Sequence, residues 1–305
     1  MPIPDFQSLM LPVLKYAANQ TEHPLRDAVE FLADQFSLTD EERNERLPTA
    51  PQPRFYNRVG WARTYLKQAR LLEASDQRSF LKITDRGRQV LNSNPERIDM
   101  AFLEQFPEYK EFRERTHNDG GGIVNPVPPA LTPEESMEAA YLKMREDLAK
   151  ELLDNIVRSS PAFFENLVIE LLVSMGYGGS DANAARRVGQ TGDEGIDEII
   201  DEDKLGLDSI YIQAKRWKDN PVRSGDVQAF IGALTVKHAQ KGVFITTSRF
   251  TDDARNFVAN IGMKVVLIDG KRLAELMIDH NVGVATSINY EVKKVDFDYF
   301  IETLE

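Results

Sequence analysis

Between Ile196 and Asp279 the chain alternates short apolar runs with amphipathic stretches, the order expected of a sheet covered by helices. "GIDEII" and "DSIYIQAKRW" read as paired strands. "VQAFIGALTVKHA" reads as a helix through Val227, Phe230, Ile231 and Leu234, and "GVFITTS" as a buried strand. "TDDARNFVANI" (Ala254, Phe257, Val258, Ile261), "KVVLID" and "KRLAELMID" continue as helix, strand and helix. The expectation is an α/β domain, a mixed sheet flanked by helices, with right-handed crossovers between parallel strands. Helices lead into it: "SPAFFENLVIELLVSMGYGG" carries a serine cap, a buried stripe of Phe164, Leu167, Val168 and Leu171, and a glycine stop. Gly176, Gly178 and Gly179 are not followed by Gly-Lys-Ser/Thr, so they read as that stop rather than as a phosphate loop.

A chain of 305 residues, 42% apolar, has material for two cores. The first hundred residues supply a different pattern, three amphipathic helices followed by a small hairpin. "DFQSLMLPVLKYAA", "PLRDAVEFLADQF" and "RFYNRVGWARTYLKQARLL" are the helices. In "LEASDQRSFLKITDRGRQVL" a polar turn separates two short strands, and Thr84 or Asp85 caps a closing helix. This is the outline of a mostly α winged-helix domain. The Gly- and Pro-rich "HNDGGGIVNPVPPALTP" reads as a linker. The expected division is a winged-helix DNA-binding domain over 1–95, a linker over 96–132 and an α/β domain over 133–305.

Charge narrows the partners. A net charge of −12 argues against nonspecific coating of DNA, so any nucleic-acid contact must be local. Residues 54–90 supply the local excess, with nine Lys/Arg against three Asp/Glu. Arg54, Arg58, Arg63, Lys67 and Arg78 are the candidate phosphate contacts. Trp61 and Tyr65 either read DNA or pack against the wing. The absence of cysteine excludes disulfides and thiolate zinc sites and suits a reducing cytoplasm, and the four histidines show no ligand spacing. No run approaches a membrane span, so a cytoplasmic protein without membrane contact is expected.

The chemistry lies where an apolar strand ends in polar residues. On "YIQAK" the side chains of Tyr211, Gln213 and Lys215 share one face. Asp197 on the preceding strand stands opposite them across a hairpin. Asp197, the Gln213 amide oxygen and the backbone carbonyl of Ala214 form an oxygen donor set suited to Mg²⁺ (or Mn²⁺), with Lys215 beside it. A metal and a cation so placed suit phosphodiester hydrolysis. Asp201, Glu202, Asp203 and Asp208 read as a solvated hairpin tip. Thr246, Thr247 and Ser248 end a strand nearby and either touch DNA or cap the next helix.

Taken in order, "FENLVIELLVSMGYGG", "GDEGIDEII", "YIQAKRW", "GVFITTSRFTDDA" and "LIDGKRLAELM" resemble the Mrr-type catalytic domain. That is a branch of the PD-(D/E)XK nuclease superfamily in which glutamine replaces the usual acid before X-Lys. "RFYNRVGWARTYLKQARLL" and "ITDRGRQVL" resemble the winged-helix domain of the same family, so the likeness spans nearly the whole chain. It implies a restriction-endonuclease-like fold and a modification-dependent (type IV) restriction endonuclease acting on methylated double-stranded DNA. It also implies Asp197 as metal carboxylate, Gln213 and Lys215 as the Gln-x-Lys pair, Glu165 as the helix acid acting on a metal-bound water or on Lys215, and Asp193 as support. Glu194 and Glu198 stand where the family's motif has glycines, which would either raise metal affinity or repel phosphate. Cleavage of both strands implies a homo-oligomer, a dimer or tetramer. A DNA-binding module on a nuclease fold, or a nuclease for branched or damaged DNA, are the alternatives. Trp61 or Trp217 either belongs to a base-flipping pocket or, as tryptophans more often do, packs in a core.

Overall fold

The computed structural model describes residues 2–19, 21–47, 52–73, 80–118, 131–178, 185–187, 196–202 and 208–293. The chain divides into two compact units, 1–143 and 144–305.

The first unit contains α1 (Met10–Tyr16), β1 (His23–Pro24), α2 (Leu25–Gln35), α3 (Asp40–Asn44), α4 (Arg54–Gln68), β2 (Phe80–Leu81), α5 (Asp85–Asn92), α6 (Met100–Leu103), α7 (Pro107–Asn118) and the start of α8 (Pro133–Arg158). The apolar stripes meet as their spacing predicts: Phe6, Val13, Leu14, Leu32, Phe55, Val59, Ala62 and Leu66 form one buried cluster. Thr84 is the cap of α5, its hydroxyl accepting the Gly87 N–H. β1 pairs antiparallel with β2, and Leu72 bridges Ile83, so three short extended segments lie side by side.

Residues 96–118, the start of the expected linker, carry α6 and α7. Ile98, Leu103 and Tyr109 are fully buried in the N-terminal core. Their signal in the sequence is weak because α6 has only four residues and half of α7 is charged. The Gly/Pro-rich run 119–130 lies outside the described residues.

α7 is tied to α5 by Arg86, which donates to both oxygens of Glu108 at 2.8 and 3.2 Å. The Arg86 hydrogen bond holds the Glu108 carboxyl down at about 2. A depressed carboxylate stabilises the fold above the ordinary glutamate range, and that contribution is lost as pH falls through the folded value. Glu108→Gln is therefore expected to lower the melting temperature modestly at neutral pH, with the difference from wild type closing as thermal scans approach about pH 2. A difference independent of pH would mean that the contact acts through packing instead.

The second unit contains the rest of α8, then α9 (Pro161–Ser174), β3 (Ala185–Arg187), β4 (Glu198–Asp201), β5 (Ser209–Lys215), α10 (Ser224–Val236), β6 (Lys241–Thr246), α11 (Asp252–Ala259), β7 (Lys264–Ile268) and α12 (Gly270–Asp279). Its sheet is mixed and runs β3-β4-β5-β6-β7. The first three strands are antiparallel and the last three parallel. One face packs Ile200, Ile210, Ile212, Val243 and Ile245 against α9 and α12. The other packs Phe244 against Val227, Phe230 and Leu234 of α10 and Ala254 of α11. The glycine stop after α9 is real: Gly176 and Gly178 take φ of +98° and +91°, a region open to glycine at little cost. Among the described residues no helix is long and apolar enough to cross a membrane.

Candidate active site

The site forms where β4 and β5 part. Their register pairs Ile199 with Tyr211 and Glu198 with Ile212, and one further step sets Asp197 opposite Gln213. Two hydrogen bonds fix that acid. Its N–H donates to the Ile212 carbonyl at 2.9 Å, and its Oδ2 accepts the Ala214 N–H at 2.7 Å. Burial pushes the Asp197 carboxyl above its ordinary value, while the Ala214 N–H and the charge of Lys215 pull it back. The structure thus brings Asp197, Gln213, Ala214 and Lys215 together.

Gln213 answers why a buried strand carries an amide. It is only 6% exposed, yet its Oε1 accepts no hydrogen bond. Leaving a buried acceptor unmatched costs about 1–3 kcal/mol unless another partner takes it. A hard cation held with Asp197 would supply that partner, so the donor chemistry fits a Mg²⁺-type ion. Among the described residues no three His, Cys, Asp or Glu side chains cluster in a metal-binding group.

Lys215 ends β5. Its Nζ lies 3.3 Å from Asp226 Oδ1 on α10 and 4.8 Å from the centroid of the Trp217 ring. Asp226 was missed by sequence reasoning, because an acid at the third position of a helix reads as an ordinary cap. Only the folding of α10 against the end of β5 turns it toward the lysine. Thr246 and Thr247 brace the same end of the sheet, their hydroxyls donating to the carbonyls of Lys215 at 2.8 Å and Trp217 at 2.7 Å.

The remaining candidates divide. Glu165 sits half-buried on α9, between Phe164 and Leu167 of the core stripe. Glu198 is buried on the face of Ile212, and strand alternation places it on the opposite side of the sheet from Asp197. Asp193, Glu194 and Arg78 lie outside the described residues. Glu202 and Asp208 at the hairpin tip pair with Lys241.

On α4, Arg63 and Lys67 stand one turn apart and are half-buried. Burial lowers the pKa of both, and Arg63 lowers that of Lys67 further. Arg54 pairs with Glu45 at 3.0 Å. The expectation for Arg58 is corrected. It is buried, its Nε and Nη2 each 2.8 Å from Glu135 Oε1 and its Nη1 donating to the carbonyls of Ile3 and Pro4. A guanidinium so engaged is a structural tie rather than a phosphate contact. Trp61 and Tyr65 also pack: Trp61 Nε1–H donates to Glu134 at 2.6 Å, and Tyr65 contacts Phe6, Tyr109 and Phe112.

A mixed sheet between helical layers, with one acid facing a Gln-x-Lys strand, defines a restriction-endonuclease-like nuclease domain. Residues 156–277 match the Mrr catalytic family, described as restriction endonuclease, and residues 6–93 match the Mrr N-terminal domain. Over 326 aligned residues the chain is 35% identical to the type IV methyl-directed restriction enzyme EcoKMrr of Escherichia coli (strain K12), covering 98% of this chain and all of that protein. The chain belongs to the Mrr restriction endonuclease family.

Two solved structures are more distant. The DNA modification-dependent restriction endonuclease AspBHI is 18% identical with a TM-score of 0.36, over 70% of this chain and 56% of that one. The MspJI restriction endonuclease, solved with a 27-mer oligonucleotide, is 20% identical with a TM-score of 0.29, over 53% of this chain and 37% of that one. At such scores neither likeness bears on the site.

Proposed function

We propose that the protein is a type IV restriction endonuclease that hydrolyses phosphodiesters of methylated double-stranded DNA with Mg²⁺ or Mn²⁺. The observation that carries this reading is the buried, unmatched oxygen of Gln213 facing Asp197, with Lys215 one alternation further along the strand. Asp197, Gln213 and the Ala214 carbonyl would hold the metal. When bound, such an ion supplies charge stabilisation at the scissile phosphate and acidifies water. Lys215 orients the nucleophile and stabilises charge on the phosphoryl oxygens. Glu165 is assigned to the attacking water or to Lys215, and Asp193 to support of the turn.

The N-terminal unit supplies the DNA contact. Its order, α1-β1-α2-α3-α4 followed by the Leu72–Ile83 bridge and β2, supports a winged-helix reading with α4 as the recognition helix. Asn57, Gly60, Thr64 and Gln68 recur every three to four residues on the side of α4 turned from the core, flanked by Arg63 and Lys67. Two half-buried cations one turn apart repel each other, and a phosphate between them relieves that repulsion. Arg54 and Arg78 complete the assigned contacts. The enzyme is assigned to the cytoplasm, where it meets incoming DNA, and to a homodimer or tetramer because cutting both strands takes two sites.

The test is to challenge methylated and unmethylated plasmids, and a branched junction, with the purified protein in Mg²⁺ and in Mn²⁺. Cleavage confined to methylated plasmid is expected. Preference for the junction would move the substrate to DNA structure. DNA binding without cleavage of any substrate would make the protein a binding module on a nuclease fold.

A further inference from the structure

We infer that Asp226 is a positioning residue for Lys215: one carboxylate oxygen holds the lysine ammonium at the site while the other is anchored to the start of α10. The inference rests on the nuclease reading above. A lysine at the end of a strand has a long, freely rotating stem, and its catalytic use depends on where the ammonium is held. Three neighbours hold this one. Asp226 Oδ1 lies 3.3 Å from Nζ, and the rings of Trp217 and Phe244 lie 4.8 and 5.7 Å away.

Both ends of the ion pair are built into hydrogen-bonded backbone. Asp226 Oδ2 accepts the Arg223 N–H at 3.0 Å, and the Asp226 N–H donates to the Arg223 carbonyl at 3.0 Å. The neighbouring Val222 is stitched to the β6–α11 connection: its N–H donates to Arg249 at 2.8 Å and its carbonyl accepts from Thr251 at 3.0 Å. On the lysine side, the Lys215 carbonyl accepts the Thr246 hydroxyl at 2.8 Å and the Thr247 N–H at 3.3 Å. The side chains of Lys215 and Asp226 are 26% and 28% exposed, so water screens the pair less than it would a surface bridge.

The charge of Asp226 separates positioning from DNA binding. An anion beside the substrate phosphate repels it, so Asp226 contributes nothing favourable to DNA affinity. Its effect falls on the chemical step, through the geometry of Lys215. Removing the charge should then slow cleavage while leaving binding unchanged or tighter, a pattern that loss of folding does not produce.

Asp226→Asn keeps an amide oxygen to accept the Arg223 N–H but turns an NH₂ donor toward the ammonium. Asp226→Glu restores a carboxylate one methylene further out. In the full-length protein, three quantities are measured: the single-turnover cleavage rate at saturating Mg²⁺, DNA affinity without metal, and acylation of Lys215 by an N-hydroxysuccinimide ester in metal-free protein. Mass spectrometry reads the last, with Lys241, held by Glu202 and Asp208, as internal reference. For Asp226→Asn the expected results are cleavage slowed about 10- to 100-fold, affinity equal or higher, and Lys215 labelled several-fold faster relative to Lys241. Asp226→Glu recovers part of the rate. Wild-type cleavage by Asp226→Asn, unchanged labelling, or a deficit confined to DNA binding each overturns the role. A wild-type protein that cuts no DNA sinks the nuclease reading instead, so the two failures are distinguishable.

Discussion

Asp197→Asn is expected to lose DNA cleavage by on the order of a thousandfold or more and, without metal, to melt at a higher temperature than the wild type. The first effect follows from removing the carboxylate that the strand register sets opposite Gln213. The second follows from where that carboxylate sits. Burial raises its pKa, with the Ala214 N–H and Lys215 only partly opposing, so the folded protein binds the Asp197 proton more tightly than the unfolded chain does. Ionising such a group costs stability. The cost is absent below the ordinary aspartate range, where both states are protonated, and grows as pH rises from there through the raised folded value.

Asparagine carries no charge and keeps an oxygen to accept the Ala214 N–H. The variant's gain in melting temperature should therefore be present at about pH 7 and gone by about pH 3. Added Mg²⁺ should stabilise the wild type by mass action and leave Asp197→Asn unmoved. Gln213→Leu should share the second behaviour, because an apolar side chain there removes the unmatched buried oxygen while abolishing metal-dependent stabilisation. If Mg²⁺ shifts the melting of wild type and both variants equally, the ion binds elsewhere and the proposed donor set is wrong.

What the sequence disclosed follows the range of each signal. Period-two alternation in "YIQAK" placed Gln213 and Lys215 on one face, and the short hairpin brought Asp197 opposite, because strand geometry and register are local. The longer amphipathic helices, α1, α2 and α4 in the first unit and α9 to α12 in the second, were legible from their apolar spacing. Asp226 was not, because its partner sits in another element and only tertiary packing joins them. Arg58 was misread for the same reason. Seen along the chain it is one of nine cations in a basic stretch, while the acid that buries it lies 77 residues away. Tyr109 was assigned to a linker because four-residue and highly charged helices leave little periodicity, although it fills the N-terminal core.

The buried Arg58–Glu135 pair has a large expected effect: Glu135→Ala should destabilise the N-terminal unit by about 3–5 kcal/mol. The Glu135 side chain is 2% exposed. Its Oε1 takes Nε and Nη2 of Arg58, and its Oε2 accepts the Thr132 N–H at 2.9 Å. Truncation leaves a buried guanidinium with only the Ile3 and Pro4 carbonyls, and a buried N–H with no acceptor. Replacing both partners, Arg58→Met with Glu135→Leu, removes the charges together and should cost far less than either single truncation, because most of the penalty comes from the stranded partner. Urea unfolding of the full chain for Arg58→Met, Glu135→Leu and the double variant, followed by Trp61 fluorescence in a Trp217→Phe background, completes the cycle. DNA affinity measured on the same proteins then separates fold from function. Loss of affinity in the folded double variant, equal to that of Arg63→Ala, would place Arg58 at the phosphate backbone. Retained affinity, with coupling well above about 1 kcal/mol, leaves Arg54, Arg63 and Lys67 as the cations of α4 assigned to DNA.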